Sequence, residues 1–312
     1  MTSTQPAANS EVVRIVSPNR LLSLAIMPGL GGSLLEARWH DTLLTRPLPA
    51  SLTAATVSHM TSFVMAPFAN RIDAGRFTFE GHPIAVPINR AGQNVAIHGI
   101  ARNRRWQVVA QLDNTRNDAL ELALTVDDPS YPFHFSARQH VQVSDAGWSM
   151  QLAVTNTGAA SMPFGIGHHP YFRRTPDTVV TFQARGHFPT DAVRNLPTAP
   201  SGLPDAAQRE HRLVAADSIG LDQHFYGWSG PAAIDWPDFG LTLEVSADRT
   251  LANAHIYFPP DEASVCVEPV SHVPDVHNHP EWAPYGALTV LRPGESLSGT
   301  LRCRIRTRGS SA

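Results

Sequence analysis

The sequence predicts an all-β protein, a large antiparallel β-sandwich or barrel, and three observations carry that expectation. Apolar and polar residues alternate with a period of two in segment after segment, as strands with one buried face do. Helical 3.6-residue patterning is nearly absent, confined to short pieces around residues 204–216. The 26 Pro and 21 Gly residues punctuate the chain at short intervals, as many short strands joined by turns require. With 312 residues and no internal repeat or low-complexity linker, the expectation is one domain over 1–312. About 1–10 and 307–312 are expected to be frayed ends.

The strands follow in order. Residues 12–18 (VVRIVSP) and 21–28 (LLSLAIMP) are short apolar runs, each ended by a proline. Residues 105–112 (RWQVVAQL) precede 120–126 (LELALTV), where Leu120, Leu122, Leu124 and Val126 share one face. Residues 136–143 (SARQHVQV) and 149–156 (SMQLAVTN) continue the pattern across a Ser-Asp-Ala-Gly turn. Further strands are expected at 179–184 (VVTFQA), 241–247 (LTLEVSA), 254–259 (AHIYFP) and 301–307 (LRCRIRT). Residues 264–270 (SVCVEPV) are almost continuously apolar, which buries Glu268 unless its strand ends at a cleft. Between them, the Pro- and Ala-rich polar stretch from about 187 to 220 reads as a long surface loop over the sandwich.

Composition excludes several functions. All 24 basic residues are Arg and none is Lys, so Schiff-base chemistry, lysine-bound pyridoxal phosphate and a P-loop are ruled out. A net charge of −3 with scattered Arg offers no basic stripe for nucleic acid. No apolar run approaches the roughly 20 residues of a membrane span, and the N-terminus shows no export signal. Cys266 and Cys303 alone build no disulfide framework. A soluble, cytoplasmic protein is expected.

Five segments carry more directional polar residues than a core or turn needs: Asn70–Arg71, His98 with Arg102, Arg104 and Arg105, His168–His169, Asp222, and Glu268. Glu268 stands out, because burial raises a carboxyl pKa toward neutrality and so suits it to general-base work. The histidines at 168, 169, 272, 277 and 279 raise the question of a metal. Adjacent strand residues face opposite ways, however, so His168 and His169 do not share an ion, and no metal is expected. No Gly-x-Ser-x-Gly elbow supports a serine hydrolase. Asp222 and Glu268 leave a glycosidase open as a carboxylate pair. Trp106, Phe172, Phe225 and Trp282 offer faces for a sugar, although the core is their commoner place.

In order along the chain stand ANRI, IHG before a Trp-containing strand, GHHPYF, LDQHF, VEPVSHVPDVHN and LRPGESLSGTLR. This set, spanning about residues 12–306, resembles the aldose 1-epimerase (galactose mutarotase) family. The resemblance implies the large sandwich of that family and a cofactor-independent isomerase. It implies Glu268 as the base at the anomeric hydroxyl and His169 as the acid at the ring oxygen. It further implies Arg71, His98 and Asp222 as binders of sugar oxygens, with Asn70 orienting Arg71 or the sugar. The expected partner is a small-molecule sugar. Three departures bear on which sugar: His168 replaces a common Asn, Arg173–Arg174 replace Asn-Leu, and Val-Ser-His-Val replaces a Thr-Gly segment. Extra Arg beside a sugar site suits a phosphate or carboxylate, so a sugar-phosphate 1-epimerase is one alternative. A non-catalytic sugar-binding module is the other.

Overall fold

A computed structural model describes residues 11–48, 56–110 and 118–307. Two large antiparallel sheets, of ten and nine strands, face each other across one extended apolar core. The nine-stranded sheet shows the expected alternation. Its strand Phe135–Ser144 buries every second residue and exposes or half-exposes the others, because one side meets the core and the other meets water. Leu122, Val141, Leu152, Val154, Leu243 and Leu301 come from this sheet into the core.

The ten-stranded sheet is covered on both sides, and this positions the candidate site. Five of its strands matter here: β1 (Ser62–Met65), β2 (Gly167–Arg173), β3 (Asp222–Tyr226), β4 (Asn253–Tyr257) and β5 (Ser264–Val270). They lie side by side in the order β1-β2-β5-β4-β3. All seven residues of β5 are buried. Val64, Phe172, Phe225, Ile256, Val265 and Val267 point into the sandwich core, so the residues between them face the other way.

Every strand expected from alternation is present within the described residues; residues 111–112 of the 105–112 segment lie outside them. Three details differ. The helical pattern around 204–216 becomes an edge strand, Arg209–Val214, followed by a single four-residue turn of helix, Ala215–Ser218. The long loop is correspondingly shorter at both ends, bounded by the strands Gly186–Phe188 and Arg209–Val214. The expected frayed ends lie outside the described residues, except that the last strand runs on through Thr307. Among the described residues, no helix is long and apolar enough to cross a membrane.

Candidate active site

Register gathers the polar residues into one row. Between β2 and β5, Gly167 pairs with Val270 and Tyr171 with Cys266; the same register sets His169 opposite Glu268. Phe63 of β1 pairs with His169, and His255 of β4 pairs with Glu268. Directly opposed residues share a face, so Phe63, His169, Glu268 and His255 stand in line on the face away from the core. Asp222 joins that face two residues before His224, the partner of His255. Pro170 and Pro269 lack amide donors, and the β2–β5 ladder has no paired residues between Gly167 and Tyr171. The strand nevertheless runs on past Pro170 to Arg173.

Above this row lies a cavity of about 200 Å³. Its opposite wall is the short ribbon Arg71–Asp73 with Val95–Ile97. Asn70 and His98 flank the end of that ribbon, both in the left-handed region at φ 56° and 61°, and they clasp each other. His98 N–H donates to Asn70 O at 2.9 Å, and Asn70 N–H donates to His98 Nδ1 at 3.2 Å. The next residue must be Gly99, since a Cβ there would come within 2.1 Å of the Ala66 carbonyl oxygen.

One end of the cavity is held in a hydrogen-bonded network. Asn70 Oδ1 accepts from the Arg71 amide at 2.9 Å and from Arg71 Nη1 at 3.2 Å. Asn70 Nδ2 meets His255 Nδ1 at 3.3 Å, and His255 Nε2 meets Asp222 Oδ1 at 2.5 Å. With Asn70 donating, His255 accepts on Nδ1 and donates from Nε2. Asp222 Oδ2 also accepts from Arg71 Nη2 at 3.2 Å and Asn195 Nδ2 at 3.1 Å. Burial pushes the Asp222 carboxyl up, but the hydrogen bond from His255 and the guanidinium of Arg71 outweigh it and hold it well below the usual range. Asp222 is therefore a carboxylate with no proton to give.

The other end is unsaturated. His169 Nε2 lies 3.2 Å from Glu268 Oε1. Glu268 Oε2 and His169 Nδ1 are buried without a protein partner. Burial raises the Glu268 carboxyl well above its usual value; Asp222 adds to this and Arg71 opposes it. Burial lowers His169 well below its usual value, with Arg102 the next cause. His98 is lowered likewise, by burial and then by Arg102. The Tyr171 ring stacks on His169 at 4.6 Å between centroids, and Phe63 lies 4.6 Å away on a tilt. The imidazole is thus fixed in plane while its nitrogens stay available.

The model of the aldose 1-epimerase family matches residues 14–304. This chain belongs to the aldose 1-epimerase family. Among its relatives it is 29% identical over 283 residues to the uncharacterized protein YphB of Escherichia coli K12, covering 88% of this chain and 93% of that one. It is 22% identical to the aldose 1-epimerase of the same organism, over 90% of this chain and 93% of that protein. The crystal structure of a candidate aldose 1-epimerase from Escherichia coli K12 superposes with a TM-score of 0.81 at 26% identity, covering 95% and 99% of the two chains.

Within this member of the family, all six residues named from sequence line the one cavity: Asn70, Arg71, His98, His169, Asp222 and Glu268. His168 faces the other way, into the sandwich, where burial holds it down to about 4 against a weaker pull from the Gly299 backbone. The four aromatic candidates belong to the core instead. Trp106, Phe172 and Phe225 lie in the main cluster and Trp282 in a smaller one; Phe63, Tyr171 and Tyr257 are the aromatic residues of the cavity. Arg173 and Arg174 are also outside it. Arg173 lies over Phe239 and Arg174 donates to the Pro259 carbonyl at 3.0 Å.

The histidines do not converge on a common point. His272 takes the Ala69 amide on Nε2 and meets the Val273 carbonyl through Nδ1. His277 packs against Phe77, and His279 stacks on Trp282. Among the described residues, the group with metal-ligand atoms in mutual reach is His169, Cys266 and Glu268, within 4.8 Å. Its thiol is held well above its usual pKa by burial, which disfavours the thiolate that a metal takes. The carboxylate pair of a glycosidase also fits poorly, because Asp222 is committed to three donors. Sequence reasoning missed His255, Asn195 and the roles of Tyr171 and Arg102. His255 had a signal: Asn253, His255 and Tyr257 alternate with Ala254 and Ile256, a polar face on a strand whose other face is core.

Proposed function

We propose that the protein is an aldose 1-epimerase that interconverts the α and β anomers of a sugar with a free anomeric hydroxyl. The observation that carries this reading is the His169–Glu268 pair, 3.2 Å apart, with unpartnered atoms at the wall of a polar cavity. Opening a cyclic hemiacetal needs a proton taken from O1 and a proton placed on the ring oxygen. As O1 loses its proton the C1–O1 bond becomes a carbonyl, and the C1–ring-oxygen bond breaks. Rotation about C1–C2 presents the other carbonyl face, and reclosure reverses both transfers. One base and one acid suffice, each contributing on the order of 10²–10⁴ in rate.

Glu268 is the base at O1 and His169 the acid at the ring oxygen. Burial disfavours the charged form of each partner, raising Glu268 and lowering His169. A sugar hydroxyl donating to Oε2 stabilises the carboxylate and moves the proton toward His169, so the pair acts as one titrating unit. Arg71, His98, Asn70 and Asp222 bind and orient the sugar oxygens. Anomeric exchange measured by polarimetry on freshly dissolved α-glucose and α-galactose tests the reading. Acceleration of the optical drift supports it; sugar binding without acceleration identifies a binding module instead.

A further inference from the structure

Three guanidinium groups line the cavity, those of Arg71, Arg90 and Arg102. Arg71 is neutralised by Asp222 at 3.2 Å. Among the described residues, neither Arg90 nor Arg102 has a carboxylate within ion-pair distance, and Arg102 Nε is buried without a partner. Arg102 is not there by accident of a mobile chain. Its residue sits in the short 3-10 turn Ala101–Asn103, whose Ala101 amide is tied to the Ala66 carbonyl at 3.1 Å. Gly31 packs so close that a Cβ would meet the Arg102 carbonyl oxygen at 2.1 Å. A conformation open to glycine, φ 71°, thus holds the backbone of an uncompensated cation against the cavity.

Such an arrangement has an energetic cost. An unpaired charge in a partly buried place loses hydration without recovering it; burial lowers Arg102 to about 10, with Tyr171 opposing and the charge of Arg90 working in the same direction as burial. The Phe63 ring, 5.0 Å from the Arg102 guanidinium, fixes its plane but supplies no countercharge. A neutral hexose needs hydroxyl partners, and Arg71, Asp222, Asn195 and His98 already offer them. Two uncompensated forks lining one cavity match an oxyanion, which accepts paired N–H bonds from each.

We propose that Arg90 and Arg102 form an oxyanion subsite, so that the aldose turned over here carries a phosphate or carboxylate group away from C1. This rests on the epimerase reading and names its substrate class. Neutralising Arg102 also removes one of the charges that keep a proton off His169, so the bound anion favours the acid form that ring opening uses.

The test is anomeric exchange, followed by two-dimensional NMR, on glucose and galactose, their 6-phosphates and their uronates. The wild type is expected to show kcat/KM at least about 10-fold higher for a 6-phosphate or a uronate than for the parent hexose, the gain from one or two charge-assisted bonds. Which of the two anions gains identifies the group. Arg102→Gln, and separately the exposed Arg90→Gln, should shrink that preference several-fold. Equal or lower kcat/KM for every anionic sugar overturns the proposal, as does a preference that survives both substitutions. Should no sugar exchange faster than in buffer, the epimerase reading fails on its own. Calorimetric titration then decides the subsite: 6-phosphate or uronate binding lost in Arg102→Gln sustains it, and binding no tighter than that of the parent hexose overturns it.

Discussion

The two ends of the cavity hold the same kinds of groups in opposite states. At one end Asp222, His255, Asn70 and Arg71 are tied to one another by hydrogen bonds that leave a few sites for sugar oxygens, and the carboxylate is held ionised. At the other, Glu268 and His169 meet at 3.2 Å with Oε2 and Nδ1 unpartnered, and burial opposes the charge of both. A carboxylate committed to such a network cannot exchange protons without dismantling it, so it serves to hold. An unsaturated one in a dry place exchanges protons readily, so it serves to react. The difference assigns positioning and chemistry to separate halves of one site, although both halves carry a carboxylate and an imidazole.

Substitution at the reactive end should have the largest effect. Glu268→Gln keeps shape and removes the base, and kcat is expected to fall by roughly 10²–10⁴ with KM little changed. Polarimetry under saturating sugar measures it; a variant retaining most of its kcat would move the base elsewhere. His169→Asn should lose at least about 10²-fold in kcat, while His168→Asn, on the core face of the same strand, should cost far less and act mainly through stability. Circular dichroism confirms folding of both. Equal losses would mean that strand parity does not separate the two rings.

At the networked end the signature should reverse. Arg71→Lys keeps the charge but cannot serve Asn70, Gln93 and Asp222 at once, and kcat/KM should drop by about 10-fold, chiefly through KM. Wild-type kinetics in that variant would make Arg71 a bystander. Exhaustive chelation with EDTA is expected to leave kcat unchanged, since the proposed steps use organic acids, bases and donors; loss reversed by zinc would point to the His169–Cys266–Glu268 group instead.

The smallest effect concerns stability against pH. Burial raises Glu268 above its ordinary value of 4.5, so its stabilising contribution is fully present below that pH and is lost as pH rises through the folded-state value. Glu268→Gln lacks this loss. Its Tm relative to the wild type should therefore climb by about a few degrees between pH 4 and pH 8. A constant difference, followed by thermal melts across that range, would show that Glu268 is not desolvated in the folded protein.

Much of the architecture was legible because alternation is local information. LELALTV or LRCRIRT states its buried face without help from the rest of the chain. Arg209–Val214 was not legible: as an edge strand with no fully buried residue, it has too little apolar signal to mark its period. For the site, family motifs brought together six residues, His169 among them, and strand parity set His168 on the opposite face. Asn195 and Arg90 escaped because each reaches the cavity from a segment whose local sequence gives no hint of what it will face, whereas His255 stands on a polar strand face that the alternation of residues 253–257 does mark. The aromatic candidates lie in the core, their commoner place: Phe172 and Phe225 point to the core face of strands that carry Tyr171 and Asp222 on the cavity side. Arg173 and Arg174 follow the histidines by only a few residues, yet they lie beyond the end of the row the register builds.

The central claim is that His169 and Glu268 act as one proton-handling unit, and a double-mutant cycle on kcat tests it most directly. If the pair works together, Glu268→Gln combined with His169→Asn should be about as slow as the worse single variant, because removing either partner already disables the exchange. Polarimetry on the four proteins at one pH gives the answer. Losses that multiply, so that the double variant falls by the product of the two single effects, would show two independent contributions and contradict the account.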